Sequence, residues 1–397
     1  MTRVLRPKEI KTKLGKTQVE HDQSFEAELE IDVHELFTGF DKFKDGSDNI
    51  RFEELVEIFL NNARCLNNRV TRLASLIALG LAIVYGVVLY FSHIPRLETP
   101  SELTYITNDF TENSYDLPPR LTSQVGLKNQ SLHGRGSIEL SVVIPCYNET
   151  NRLGKMLDEA TEYLNKNYKE NYEILIVDDG SSDGTDDYAL RKATQLKLAP
   201  HILRVIKLSS NRGKGGAVTH GLLHSRGRLA LFADADGATK FSDVKKLMDW
   251  LNQLGNKPGV AIGSRSHMVD TDAVVKRSFI RNFLMYGLHT LVYIFGIRAI
   301  QDTQCGFKMF NQESISKVFP HMHTERWIFD VEVLLLCEIQ GIAMQEVPVN
   351  WQEIDGSKID LAKDSIGMAI DLVVTRIAYL IGTYKLNECG RLSKKNQ

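Results

Sequence analysis

The most constraining feature of this chain is a regular alternation, between residues 138 and 263, of short apolar runs with amphipathic stretches. Leu140–Ile144, Tyr172–Val177, Leu203–Leu208, Leu229–Ala233 and Val260–Gly263 are apolar and rich in β-branched residues, and they read as strands. Leu153–Leu164, Asp183–Lys197, Gly215–His224 and Val244–Leu254 carry helical spacing between them. Repeated β–α units require a mostly parallel sheet with helices on both faces. Ligands of such sheets bind beyond the carboxyl ends of the strands. Polar residues at those ends are therefore the place to look for chemistry.

Composition narrows the rest. With 397 residues, 43% hydrophobic and 25% charged, the chain is globular rather than disordered or of low complexity. Lys and Arg number 48 against 50 Asp and Glu, so bulk charge leaves no nucleic-acid footprint. The five cysteines (Cys65, Cys146, Cys305, Cys337, Cys389) are scattered and give neither a disulfide framework nor zinc-ligand spacing. A mean hydropathy of −0.19 excludes a polytopic membrane protein but hides a local run. Leu73 to Phe91 reads LASLIALGLAIVYGVVLYF without a charge. As a helix it covers about 28 Å, near the hydrocarbon thickness of a bilayer. It lies too far into the chain for a cleaved signal peptide, so a membrane anchor is expected.

The expected organisation is a polar, partly helical extension at 1–72, the anchor at 73–91, a linker of little regular structure at 92–137, a catalytic domain at 138–385 and a tail at 386–397. In the extension, two helical patterns flank an acidic loop, Asp41 to Ile50, with the outline of an EF-hand. With Asp41 first, position three is Phe43 and position twelve is Phe52, so the calcium ligands are misplaced. Phe283–Ile297 and Ile366–Gly382 are apolar or amphipathic and suit either a membrane interface or an ordinary core.

The strand ends carry the candidate site. The first ends in Pro145-Cys-Tyr147-Asn148-Glu149 and the second in Asp178-Asp179-Gly180-Ser181, groups able to hydrogen-bond a base and a ribose. Taken singly, each also suits a turn or helix cap. The third leads to Asn211-Arg212-Gly213-Lys214-Gly215-Gly216, where glycines and cations stand before a helix, a natural anion site. The spacing is not that of a P-loop. The fourth ends in Asp234-Ala-Asp236-Gly237. Two carboxylates this close repel unless a cation lies between them. A hard divalent ion held by one or two carboxylates leaves positions for substrate phosphates. The pair therefore points to Mg²⁺ or Mn²⁺ with a nucleoside diphosphate.

Together, SVVIPCYNE, VDDGSSDGT, NRGKGGA and DADG resemble the family 2 glycosyltransferases of the GT-A fold. The later segments Ala261–Met268, Lys276-Arg277, Arg281-Asn282, Asp302–Lys308, Trp327–Glu332 and Gly356–Lys358 resemble the dolichyl-phosphate β-glucosyltransferases. The resemblance spans about residues 73–385. It implies a Rossmann-like α/β GT-A domain behind an N-terminal membrane helix, a metal on Asp236 and Asp234, and uridine held by Glu149 and Asp178. It further implies UDP-glucose as donor, dolichyl phosphate as acceptor, an inverted β-glucosyl product for protein N-glycosylation, and the endoplasmic reticulum membrane with the catalytic domain in the cytosol. Residues 1–72 are an extension that the family does not require.

The chemistry can be argued independently. A phosphate monoester has its second pKa near 6 and is already anionic at pH 7, so it needs no strong general base. It needs cations that bring two anions together. Arg265, Arg277, Arg281, Lys308 and Lys358 are candidates, with Arg277, Arg281, Lys308 and Lys358 facing the acceptor phosphate; Asp302 is the candidate carboxylate beside the sugar. Arg64, Arg69 and Arg72 before the apolar run place the N-terminus in the cytosol by the charge rule, which conflicts with a cytosolic catalytic domain. A monotopic rather than single-pass helix, bent at Gly80 and Gly86, reconciles the two. The sequon Asn148-Glu-Thr150 inside the nucleotide region also argues against lumenal exposure. Two alternatives stay open: a mannosyltransferase using GDP-mannose, and a tethered interaction protein working through its EF-hand-like extension.

Overall fold

The computed structural model describes residues 69–109, 113–122, 138–268, 287, 297, 300–354 and 361–386. The extension 1–68 and its acidic loop lie outside the described residues, as do Arg277, Arg281 and Lys358. The chain divides into two compact units, Met1–Phe91 and Ser92–Gln397.

In the first unit the described element is α1 (Arg69–Phe91). Leu73, Leu76, Ile77, Leu81, Val84, Val87, Tyr90 and Phe91 are exposed on it. Among the described residues no helix is long and apolar enough to cross a membrane. Over the expected anchor at 73–91 the described residues show an apolar helix and not a membrane span.

The second unit is built on a seven-stranded sheet. A short antiparallel pair, β1 (Thr104–Tyr105) and β2 (Tyr115–Asp116), comes first. There follow β3 (Ile138–Cys146), α2 (Leu153–Tyr168), β4 (Tyr172–Asp178), α3 (Thr185–Gln195), β5 (Leu203–Lys207), α4 (Lys214–Leu223) and β6 (Gly227–Ala233). Then come α5 (Val244–Leu254), β7 (Gly259–Ser264), β8 (Phe307–Asn311), α6 (Gln312–Val318), α7 (Phe329–Ile339), β9 (Ala343–Pro348) and α8 (Leu361–Leu380). The order across the large sheet is β5-β4-β3-β6-β8-β7-β9. All neighbours run parallel except β8, which is antiparallel to both β6 and β7.

Both faces of the sheet are covered. Leu140, Val142 and Ile144 of β3 point into one core with Leu153 and Leu157 of α2 and Val244 and Leu247 of α5. Val143 points into the other, with Val218 and Leu222 of α4 and Val333 and Leu334 of α7. This alternation is the pleat of a strand buried on two sides, and it explains the continuous apolar runs.

The stretch expected to be a linker is a packed strap where it is described. Ile106 exchanges backbone hydrogen bonds with Val205 at 3.0 and 2.9 Å, covering the exposed edge of β5. Glu102, fully buried, accepts from Ser209 N at 2.7 Å and Ser209 Oγ at 2.9 Å and pairs with Arg96. Burial raises its pKa, but Arg96 and the other donors outweigh that and hold it down at about 2.

Candidate active site

The parallel strands deliver their carboxyl ends to one edge. Cys146 lies beside Asp178, and Asp178 beside Lys207. On the other side, antiparallel β8 turns Gly306 and Phe307 back against the end of β6, so Asp234 N donates to Gly306 O at 3.0 Å.

Asp234 and Asp236 stand just past β6. Lys214, the first residue of α4, pairs with Asp234 Oδ1 at 2.7 Å. Asp236 Oδ1 accepts from Ala238 N at 3.0 Å, and its other oxygen is 4.0 Å from Arg152 NH1. Burial, and then the neighbouring Asp234 charge, push the Asp236 carboxyl up. A cation held by both would reverse that push. The space beside Asp234 is shaped for its carboxylate: a Cβ on Gly306 would lie 1.9 Å from Oδ2. Two carboxylates of hard oxygen, one with spare acceptor capacity, fit Mg²⁺ or Mn²⁺.

Glu149, just beyond β3, is buried and gripped at both oxygens by Arg152, at 2.8 and 2.6 Å. Asn148 holds a left-handed backbone (φ 54°), and its Oδ1 accepts from Ser182 N at 2.8 Å, tying the first strand end to the second. Pro145 is half-buried and Tyr147 exposed at the same rim. Asp178 Oδ1 accepts from Ser181 N at 3.3 Å, and burial raises its carboxyl.

Asp179, expected at the nucleotide, accepts from Arg212 N at 2.7 Å and Gly213 N at 2.9 Å, so it holds the glycine-rich loop. Burial pushes this carboxyl up to about 7. Gly213 is required there: its φ is 93°, and a Cβ would meet Glu325 O at 2.5 Å.

Lys308, expected at the acceptor phosphate, is enclosed in the fold. It is only 1% exposed, donates to Cys305 O at 2.7 Å and pairs with buried Asp330 at 2.5 Å. An ammonium so enclosed does not present itself to an acceptor phosphate. Asp302 is likewise not free. Arg265 donates to it from Nε at 2.7 Å, from NH2 at 2.8 Å and from its backbone N at 2.8 Å. Burial pushes the Asp302 carboxyl up, but Arg265 outweighs it and the net direction is down. Three of about four lone-pair positions are used, so Asp302 and Arg265 act as one unit. The Arg265 guanidinium lies 5.3 Å from the Trp351 ring centre and also feels the Asp234 charge, which joins this unit to the carboxylate pair.

The sequence reading did not single out Arg152, which bridges Glu149 and Asp236. A signal was there: an arginine three residues after Glu149, within reach of it on one turn. Asp330 gave no comparable signal, because its partner Lys308 lies 22 residues away.

Residues 141–319 match the family described as Glycosyl transferase family 2, and residues 1–72 match the family described as mRNA capping enzyme, beta chain. The dolichyl-phosphate beta-glucosyltransferase of Saccharomyces cerevisiae is 51% identical over 333 residues, covering 81% of this chain and 97% of that protein. The dolichyl-phosphate beta-glucosyltransferase of Homo sapiens is 44% identical over 262 residues, covering 64% and 80%. Among solved structures, glucosyl-3-phosphoglycerate synthase of M. tuberculosis aligns with a TM-score of 0.42 at 16% identity, covering 64% and 84%.

Proposed function

This chain belongs to the dolichyl-phosphate β-glucosyltransferases within glycosyl transferase family 2, and on that premise we propose that it moves glucose from UDP-glucose to dolichyl phosphate with inversion. The observation that carries the reading is the Asp234–Asp236 pair with Lys214 at the end of β6, in a chain of this family. The mannosyl alternative is not favoured, because the relatives named here carry glucose in their names.

Asp236 and Asp234 would hold Mg²⁺ or Mn²⁺, which supplies charge stabilisation for the departing diphosphate. Lys214 fixes the Asp234 carboxylate, and Arg152 orients Glu149 toward the rim that takes uridine, with Asp178, Asn148, Tyr147 and Pro145 around it. Asp179 positions Arg212 and Gly213, whose loop starts α4 and offers its N-terminal N–H groups to phosphate. The Asp302–Arg265 unit stands at the sugar, with the guanidinium for developing negative charge. Arg277, Arg281 and Lys358 bring the acceptor phosphate. That phosphate attacks as an anion, so no residue is asked to remove a proton.

The acceptor is a lipid, so the site works at a membrane. We place the chain at the endoplasmic reticulum membrane with the catalytic unit in the cytosol, held by α1 as a single-pass or monotopic anchor. The exposed apolar residues of α1 and Ile366, Ile370 and Leu380 of α8 support that reading. Protease treatment of sealed microsomes tests it: digestion of the catalytic unit is expected, and its protection overturns the orientation. Membranes given dolichyl phosphate, Mg²⁺ and either labelled donor test the activity. Lipid labelling from UDP-glucose is expected; labelling from GDP-mannose alone refutes it.

A further inference from the structure

At the far end of α4, Glu98, His220 and His224 bring a carboxylate oxygen and two imidazole nitrogens within 4.8 Å of one another. We propose that these three residues form a second divalent-metal site, of the zinc class, that clips the strap at 96–121 to α4. It is separate from the carboxylate pair, because Lys214 and His224 are ten residues apart, about 15 Å along a helix axis.

Backbone carbonyls fix the orientation of both rings. His220 Nε2 lies 2.8 Å from Glu102 O, and His224 Nδ1 lies 2.6 Å from Pro118 O. Carbonyl oxygens only accept, so both of those nitrogens carry hydrogen. Of the remaining nitrogens, His220 Nδ1 is hydrogen-bonded to Glu98 Oε1, a proton that an ion would displace, and His224 Nε2 has no partner. Metal-bound histidines show this arrangement, one nitrogen on the ion and the other donating to a carbonyl that fixes the ring.

The second, independent observation is His224 Nε2 itself. The residue is 2% exposed, and this buried nitrogen has no hydrogen-bond partner. An unpaired buried acceptor is destabilising, and a metal ion would satisfy it. His220 and His224 are four apart on consecutive turns, which puts both on one helix face. His220 Nδ1 is 3.1 Å from Glu98 Oε1. Ligand atoms about 2.0–2.1 Å from a tetrahedral zinc lie roughly 3.3 Å apart, so this pair already has the spacing. Arg120 NH1 lies 3.6 Å from the other Glu98 oxygen, leaving Oε1 toward the rings. Two histidines, one carboxylate and an open fourth position are a known zinc set.

The test uses the full chain purified in detergent, in an Asp236→Ala background so that the catalytic pair takes no ion. It is dialysed metal-free and titrated with Co²⁺ alone, read by visible absorption, and with Zn²⁺ alone, read as metal per chain. One equivalent of Zn²⁺ and a tetrahedral Co²⁺ spectrum are expected. Adding His224→Gln should weaken uptake at least ~100-fold, the upper range for loss of even a supporting partner of a metal ligand. Zn²⁺ should also raise the melting temperature of the first protein and not of the second. An absent or octahedral Co²⁺ spectrum, or equal uptake with and without His224→Gln, overturns the proposal. If His224→Gln does not fold, the Co²⁺ spectrum of the Asp236→Ala protein alone decides. None of these readouts involves glucose transfer, so failure here is distinct from failure of the functional reading.

Discussion

Gly306→Ala is the sharpest perturbation of the active site. The new Cβ would sit 1.9 Å from Asp234 Oδ2 and 2.3 Å from Cγ. The backbone cannot simply give way, since Asp234 N is bonded to Gly306 O at 3.0 Å and β8 is laddered to both β6 and β7. Ordinary van der Waals contact begins near 3.4 Å, so the carboxylate must move by about 1.5 Å. That breaks its 2.7 Å pairing with Lys214 and shifts one of the two oxygens sets offered to the metal. Misplacement by about 1 Å costs on the order of 100-fold in rate, while overpacking by one methyl costs about 1–3 kcal/mol of stability. The expected result is a folded protein with turnover down at least ~100-fold and a raised Mg²⁺ requirement. The assay is glucosyl transfer to dolichyl phosphate across a Mg²⁺ titration, with a thermal melt as control. In an Asp234→Ala background the same substitution should add almost nothing, since contacting residues are not additive. Near-normal turnover of Gly306→Ala with unchanged Mg²⁺ dependence refutes the reasoning.

Other substitutions separate supporting residues from contacting ones. Lys308→Met leaves buried Asp330 without its partner, so a loss of about 3–5 kcal/mol is expected in a denaturant melt; full stability with lost activity would show that Lys308 acts on substrate after all. Arg152→Ala frees Glu149 and should raise the UDP-glucose KM more than it lowers kcat, with Glu149→Gln adding little to it; additive effects would mean that the two work apart. Asp179 titrates near 7 in the fold against an ordinary 3.8. The folded state then binds the extra proton between those values, so this group's stabilisation is full below about pH 4 and is lost as pH rises through 7. Asp179→Asn should flatten that limb of the stability–pH curve, and an unchanged limb would contradict the assignment.

Much of this fold was legible because strands buried on both faces must be apolar throughout. YEILIV predicts β4 without knowledge of its neighbours, and the carboxylates that follow such runs stand out. The Asp234–Asp236 pair was visible for the same reason. What stayed hidden depends on partners distant in sequence. Glu102 looked like a linker charge because Ser209 lies 107 residues on. Lys308 looked like a cation for the acceptor phosphate because nothing local announces Asp330 as its buried partner. The antiparallel insertion of β8 between β6 and β7 was not legible either, because five residues of FKMFN carry no direction. Asp179 and Asp178 are adjacent and chemically alike, and only the 211–213 loop folding over one of them assigns it a supporting role.

The central claim is tested most directly by the purified chain itself, given UDP-glucose labelled in the sugar, dolichyl phosphate and Mg²⁺, with the lipid product analysed for its anomeric configuration. A β-glucosyl phosphate that forms with the native chain and is lost with Asp236→Ala is the predicted result. An α-linked product, transfer from GDP-mannose alone, or full activity of Asp236→Ala would contradict it.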